Sequence, residues 1–133
     1  MKSVFIGADK LVLNNAYSRK DAGYKNTQSA LMKINAHERI AFFNLGAKYD
    51  NRLTKKGFIL EPRYDLNNDS LIDELTSCTT YLFLRRGIIG PYYYLGIIAN
   101  VNRLDKNHIL CNLEVKEISD DIVKKLGDFQ PLP

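Results

Sequence analysis

Residues 79–118, TTYLFLRRGIIGPYYYLGIIANVNRLDKNHILCNLEVKEI, constrain the fold more than any other stretch of this chain. They read as three antiparallel strands joined by two tight connections. Side chains alternate between the two faces of a strand. In residues 80–85 this sends Tyr81, Phe83 and Arg85 one way and Leu82 and Leu84 the other. Residues 86–91 make the first turn, in which Gly87 and Gly90 can take positive φ and Pro91 cannot donate to a ladder. Residues 92–101 are apolar on both faces, as suits a strand with a neighbour on each side. Gly96 interrupts them and marks a bulge, a sharp coil or a close backbone approach. After a second turn at 102–107, residues 108–118 alternate cleanly. Ile109, Cys111, Leu113 and Val115 face one way; Leu110, Asn112, Glu114 and Lys116 face the other. One buried and one wet face specify the register.

The remaining segments look like what is wrapped around that sheet. Residues 3–6 and 11–13 are short apolar runs around Gly7 and read as a strand and turn or a hairpin arm. Residues 27–36 predict a helix capped by Asn26 or Thr27, with Leu31 and Ile34 three apart. Residues 40–43 and 58–60 read as strands, with a basic connection at 46–57 between them. A second helix is expected over 70–77 behind Asn68 or Asp69. A third is expected over 120–126, capped by Ser119 and stopped by Gly127. Asp120 and Asp121 in its first turn and Lys124 and Lys125 in its last match the helix dipole. Short strands interspersed with two or three short helices define an α+β chain. A twisted sheet of this size tends to curl, so the expected architecture is a small, partly closed antiparallel β-barrel with the helices packed outside.

At 133 residues the chain supports one domain, residues 1–133, with a sizeable core. No apolar run is long enough to span a bilayer, and the first ten residues carry no secretory signal pattern. Cys78 and Cys111 lie in apolar contexts and read as buried, reduced thiols. A cytoplasmic protein with no membrane partner is the expectation.

Charge is uneven along the chain. Residues 1–63 hold twelve Lys/Arg against five Asp/Glu, and residues 64–133 hold seven against ten. A basic first half implies a surface drawn to phosphate or to an acidic protein, or else an evenly solvated set of lysines. Residues 14–26, NNAYSRKDAGYKN, interleave Tyr17 and Tyr24 with Arg19, Lys20 and Lys25. Rings stack on bases and cations meet phosphates, so this is a candidate recognition loop. An ordinary surface loop anchored by two tyrosines is the alternative. Lys55 and Lys56 add cations further on. Arg85 and Arg86 follow the aromatic run and would suit phosphate, although adjacent strand residues face opposite ways, so at most one serves a given site.

Catalytic motifs are wanting. Glu114-Val115-Lys116 resembles half of a Mg²⁺-nuclease motif, but its companion acid would be Asp105, nine residues away along an extended strand. His37 and His108 are the only histidines and have no ligand spacing around them. No phosphate-binding glycine loop and no nucleophile elbow occurs. The residues point to no catalytic set, no metal and no cofactor.

Residues 81–101, YLFLRRGIIGPYYYLGIIANV, resemble the C-terminal segment of a PUA-like or SRA-like accessory domain found behind restriction-type helicases and nucleases. Leu82, Phe83, Arg85, Tyr94, Leu95 and Gly96 carry the match, and residues 17–21 are similar to an upstream segment of that family. The family's tryptophan-bearing middle segment has no counterpart, since this chain has no Trp. The resemblance implies a PUA-like barrel that recognises nucleic acid, including modified DNA, in a restriction or defence setting. The chain is thus expected to be a non-enzymatic nucleic-acid-binding module, with DNA the favoured partner. Its site would use Tyr17, Arg19, Lys20, Tyr24, Lys25, Lys55, Lys56 and Arg85. A protein-interaction role, as a phage- or plasmid-borne inhibitor or immunity protein meeting an acidic partner, is the alternative. A Mg²⁺-dependent nuclease comes third.

Overall fold

A strand of 12 residues, Tyr92–Arg103, runs through the middle of the molecule and belongs to both halves of its sheet. The computed structural model describes residues 6–23, 30–54, 57–62, 68–115 and 117–126. After a 3₁₀ turn at Ala8–Lys10 come strands β1 (Ala16–Tyr17), β2 (Leu31–Lys33), β3 (Glu38–Leu45), β4 (Arg52–Thr54) and β5 (Gly57–Leu60). Helix α1 (Asn68–Ser77) follows, then β6 (Thr79–Arg86), β7 (Tyr92–Arg103), β8 (Ile109–Leu113) and helix α2 (Asp120–Leu126). The strands form one sheet in the order β2-β3-β6-β7-β8-β5-β4, with β1 added alongside β7. The chain is therefore α+β, as expected.

The three strands β6, β7 and β8 pair antiparallel in sequence order. Opposite Leu82–Phe83 of β6, the partners are Gly96 and then Tyr94, so Leu95 is an extra residue and β7 bulges there. Gly96 takes φ +101, which a side chain would resist. A second register shift falls between Ile98 and Asn100. Bulges sharpen local twist. They let β7 serve β6 with its first half and β8 with its second.

Several expectations are corrected. First, the sheet is mixed, because β3 and β6 pair parallel from Glu38↔Thr79 to Leu45↔Arg86. A parallel pair requires a crossover, and the segment containing α1 supplies it. Second, residues 31–33 form an edge strand, not part of a helix. Leu31 packs on one face of the sheet and Met32 on the other. Neighbours facing opposite ways are the strand period, and the three-residue spacing of Leu31 and Ile34 could not separate the two. Third, β4 lies inside the supposed connection 46–57; Leu53 is buried, and the Thr54 hydroxyl both donates to Gly57 O and accepts from Gly57 N, each at 3.0 Å. Fourth, residues 11–13 are no strand. Ladder-like bonds begin beyond them, with Asn14 N donating to Tyr94 O at 2.8 Å. The third strand also ends at Leu113, short of the expected Ile118.

Two hydrophobic layers sit on opposite faces of β6. Leu82 and Leu84 join Ala41, Leu45, Phe58, Leu95, Ile109 and Cys111 beneath the helices. Leu71 and Leu75 of α1 and Ile122 and Leu126 of α2 close this layer, each pair four apart on one helical face. On the other face Tyr81 and Phe83 join Ile40, Phe42, Tyr92, Tyr94 and Ala22. Each fully buried large side chain contributes about 1.5–3 kcal/mol. Ser119 caps α2, its Oγ accepting from Ile122 N at 3.3 Å, and Arg86 Nε donates to Leu126 O at the other end at 2.5 Å. Arg39 ties β3 to α1 through an ion pair with Glu74 at 2.6 Å.

The strand order is open. β2 and β4 stand at its ends, and no ladder between described residues joins them. Side chains reach from the β4–β5 side toward β3: the Phe43 and Phe58 rings stack 5.5 Å apart, and Asn51 Nδ2 donates to Asn44 O at 3.0 Å. Among the described residues no helix is long and apolar enough to cross a membrane.

Candidate functional site

The parallel pairing of β3 with β6 brings their C-terminal ends together, Leu45 opposite Arg86. β7 starts at that end, and Tyr17 of β1 lies opposite Tyr92, so the chain after Tyr17 leaves there too. One end of the sheet thus collects the turn at 18–23, the loop at 46–51, the hairpin tip at 87–91 and the last turn of α2. It carries Arg19, Lys20, Lys48, Arg85, Arg86 and Lys125.

Its centre is the buried ring of Tyr92. The Arg85 guanidinium carbon lies 4.4 Å from the ring centroid, and that of Arg19 lies 5.5 Å from it. Arg19 also sits 4.7 Å from the Phe42 centroid, and its Nε donates to the Tyr92 hydroxyl at 3.3 Å. Behind Tyr92 the rings continue: Phe42 is 4.9 Å from both Tyr92 and Phe83, and Phe83 is 5.1 Å from Tyr94. A guanidinium over a ring face gains about 0.5–2 kcal/mol. That gain holds two like charges beside one ring. Arg85 is further fixed by neutral acceptors, Asn44 Oδ1 at 2.8 Å and Gly90 O at 3.2 Å. Planar guanidinium groups can present paired donors to phosphate or carboxylate oxygens.

The turn that carries Arg19 is built, not loose. Ser18 and Asp21 exchange hydrogen bonds: Asp21 N donates to Ser18 Oγ at 3.0 Å, and Ser18 N donates to Asp21 Oδ2 at 3.3 Å. Ala22 is fully buried against the aromatic layer and anchors the turn. Lys20 projects from it, exposed. Tyr17 is placed differently from a stacking platform. Its ring meets Phe83 edge-on at 5.9 Å, and its hydroxyl accepts from Val12 N at 2.8 Å and donates to Lys10 O at 3.4 Å. Tyr24, Lys25, Lys55 and Lys56 lie outside the described residues, as does Lys116. Arg19, Lys20 and Arg85 are brought to one end of the sheet. Arg86, next to Arg85, faces the opposite way onto α2.

Several groups escaped the sequence reading. His108 stands between two carboxylates, Nδ1 2.9 Å from Asp105 Oδ1 and Nε2 3.0 Å from Asp50 Oδ2. Arg52 grips Asp50 from the other side with two bonds, at 3.0 and 2.6 Å. Burial of the imidazole opposes its protonation, but Asp105 and Asp50 outweigh it and hold its pKa above the ordinary value. Tyr81 donates its hydroxyl to Glu38; its burial and that bond raise the phenol, and the same bond lowers the carboxyl. Burial pushes Tyr94 up to about 12. Spacing reveals neither the Asp50–His108 nor the Glu38–Tyr81 pair, because their partners lie 58 and 43 residues apart. Asp105 is engaged with His108 and Glu114 is exposed; no group of three or more His, Cys, Asp or Glu able to hold a metal occurs among the described residues.

No protein-family model matches this sequence, and no curated protein matches it.

Proposed function

We propose that the protein is a non-enzymatic nucleic-acid-binding module, with DNA its favoured partner, working in a restriction or defence setting that includes modified bases. One observation carries the reading: two guanidinium groups are held around the ring of Tyr92 at an end of the sheet where Lys20 and Lys48 are also exposed. Arg85 and Arg19 contact phosphate, and Lys20 adds long-range attraction. Lys25, Lys55, Lys56 and Tyr24, which lie outside the described residues, are assigned to the same partner by residue type alone. The curled sheet is, on this reading, a partly closed PUA-like barrel. The unpaired thiols Cys78 and Cys111 accord with a reducing cytoplasm.

The test is fluorescence anisotropy with single-stranded DNA, duplex DNA, modified-base DNA and RNA at low and moderate salt. Binding of at least one of them is expected to weaken steeply with salt as counterions are released. The Arg19→Ala/Arg85→Ala variant should bind less tightly to every oligonucleotide. Absence of salt-dependent binding to all four would sink the reading. An acidic protein partner, retained after nuclease treatment, would replace it.

A further inference from the structure

The hairpin between β6 and β7 ends in Gly87-Ile88-Ile89-Gly90, and its two isoleucines are 69% and 84% exposed. A turn of this kind needs only polar or small residues. Two adjacent β-branched apolar side chains in water are a feature to be explained. Gly87 and Gly90 take φ +76 and +97, and a Cβ built at either would meet nothing within 4 Å, so the tip stands clear of the body. It is nonetheless braced at its base. Gly87 N donates to Leu45 O at 2.7 Å, and Arg85 Nη1 donates to Gly90 O at 3.2 Å. The second bond couples the tip to the guanidinium that lies on Tyr92.

We propose that Ile88 and Ile89 are a wedge that enters a nucleic-acid duplex between adjacent base pairs, while Arg85 and Arg19 hold flanking phosphates. The proposal rests on the nucleic-acid reading above and adds to it a duplex substrate and a mode of binding. An apolar tip beside cations on a fixed support suits this occupant. Insertion of isoleucine unstacks a base step, and the resulting bend brings more backbone onto the cations. A lipid surface fits less well, since two side chains bury little apolar area for anchoring.

The experiment uses a duplex carrying 2-aminopurine, whose emission rises when it is unstacked, and a doubly labelled duplex that reports bending by energy transfer. The parent is compared with Ile88→Ser/Ile89→Ser and with Arg19→Ala/Arg85→Ala. Both isoleucines are solvent-exposed, so circular dichroism melting should find the serine variant as stable as the parent. The parent should raise the emission and bend the duplex. The serine variant should do neither and should bind about tenfold more weakly, with a shallower dependence on salt because fewer phosphates then meet the cations. If the arginine variant loses affinity while the serine variant matches the parent in affinity and emission, the wedge is wrong and the nucleic-acid reading stands. If the parent binds no nucleic acid, both fall. Isoleucine-dependent binding to phosphatidylserine vesicles without duplex unstacking would overturn the wedge in favour of a lipid surface.

Discussion

Arg85 lies over the Tyr92 ring at 4.4 Å and, from the same guanidinium, donates to Asn44 Oδ1 at 2.8 Å. Both contacts depend on a flat, delocalised cation with donors at fixed angles. An ammonium has no flat face to stack on the ring while donating in its plane, so it cannot make both at once in this geometry. Arg85→Lys should therefore lose about 1 kcal/mol of stability in urea denaturation. It should also fail to restore the oligonucleotide affinity lost in Arg85→Ala. Full recovery of binding by lysine would mean that charge alone matters there.

Gly57 is a steric requirement of a different kind. A Cβ at this position would lie 2.6 Å from Cys111 O, a backbone atom of the neighbouring strand. β5 and β8 pair through Gly57↔Asn112 and Phe58↔Cys111, so the ladder itself would have to part. Gly57→Ala should cost about 1–3 kcal/mol. Thermal and urea melts should both show it.

His108 makes stability depend on pH. Both of its ring nitrogens meet carboxylates, which only accept, so the bridging form is the imidazolium. Its pKa is raised on folding, so its contribution is complete below the unfolded value of about 6.5 and fades as pH rises through the folded value. Asp50 is lowered, chiefly by Arg52, and Asp105 is lowered, chiefly by the Asn107 backbone N–H. Their contributions are present above the ordinary carboxylate value and fade as pH falls through the depressed ones. His108→Gln should be destabilised relative to the parent at mildly acidic pH, with the gap narrowing toward alkaline pH. Urea melts across that range measure it, and a constant gap would exclude the linkage.

Arg39 is largely covered, with a side chain 13% exposed, while its partner Glu74 is 40% exposed. Removing the acid leaves a guanidinium mostly out of water, still held by the Asn35 and Glu38 carbonyls at 2.6 and 2.9 Å. Glu74→Ala should cost about 1 kcal/mol in urea denaturation. It should leave oligonucleotide binding unchanged, since α1 lies away from the cation-rich end.

The thiols should react unequally. Cys111 is buried in the helical layer, and burial pushes its pKa up to about 12. Cys78 is partly exposed, its thiol facing Ala36 O. A thiol reagent should modify one cysteine in the native protein and two after denaturation. This also corrects the expectation that both are buried.

The three strands read at 80–85, 92–101 and 108–118, an irregularity at Gly96 and helix α2 were legible from residue order, because each depends on neighbours along the chain, although the third strand stops at Leu113 and only the structure shows that Gly96 marks a bulge. Alternation placed Tyr81, Phe83 and Arg85 on one face. Ser119, paired acids and paired lysines marked α2. Residues 31–33 were misread because an edge strand of three residues carries too little pattern to outweigh a helix-like spacing. β4 was missed for the same reason, its register being set by Leu53 and Thr54 against β5.

What the sequence alone determined was local: backbone periodicity, turn positions and the uneven charge. The tertiary structure decided the parallel partnership of β3 with β6, the placing of Arg19 and Arg85 about Tyr92, and the bridge from Asp50 to His108. Residues 73 positions apart, such as Arg19 and Tyr92, meet only after the sheet order is chosen. That choice comes from burying both faces of β6 at once, a sum over the whole core that no window of sequence contains.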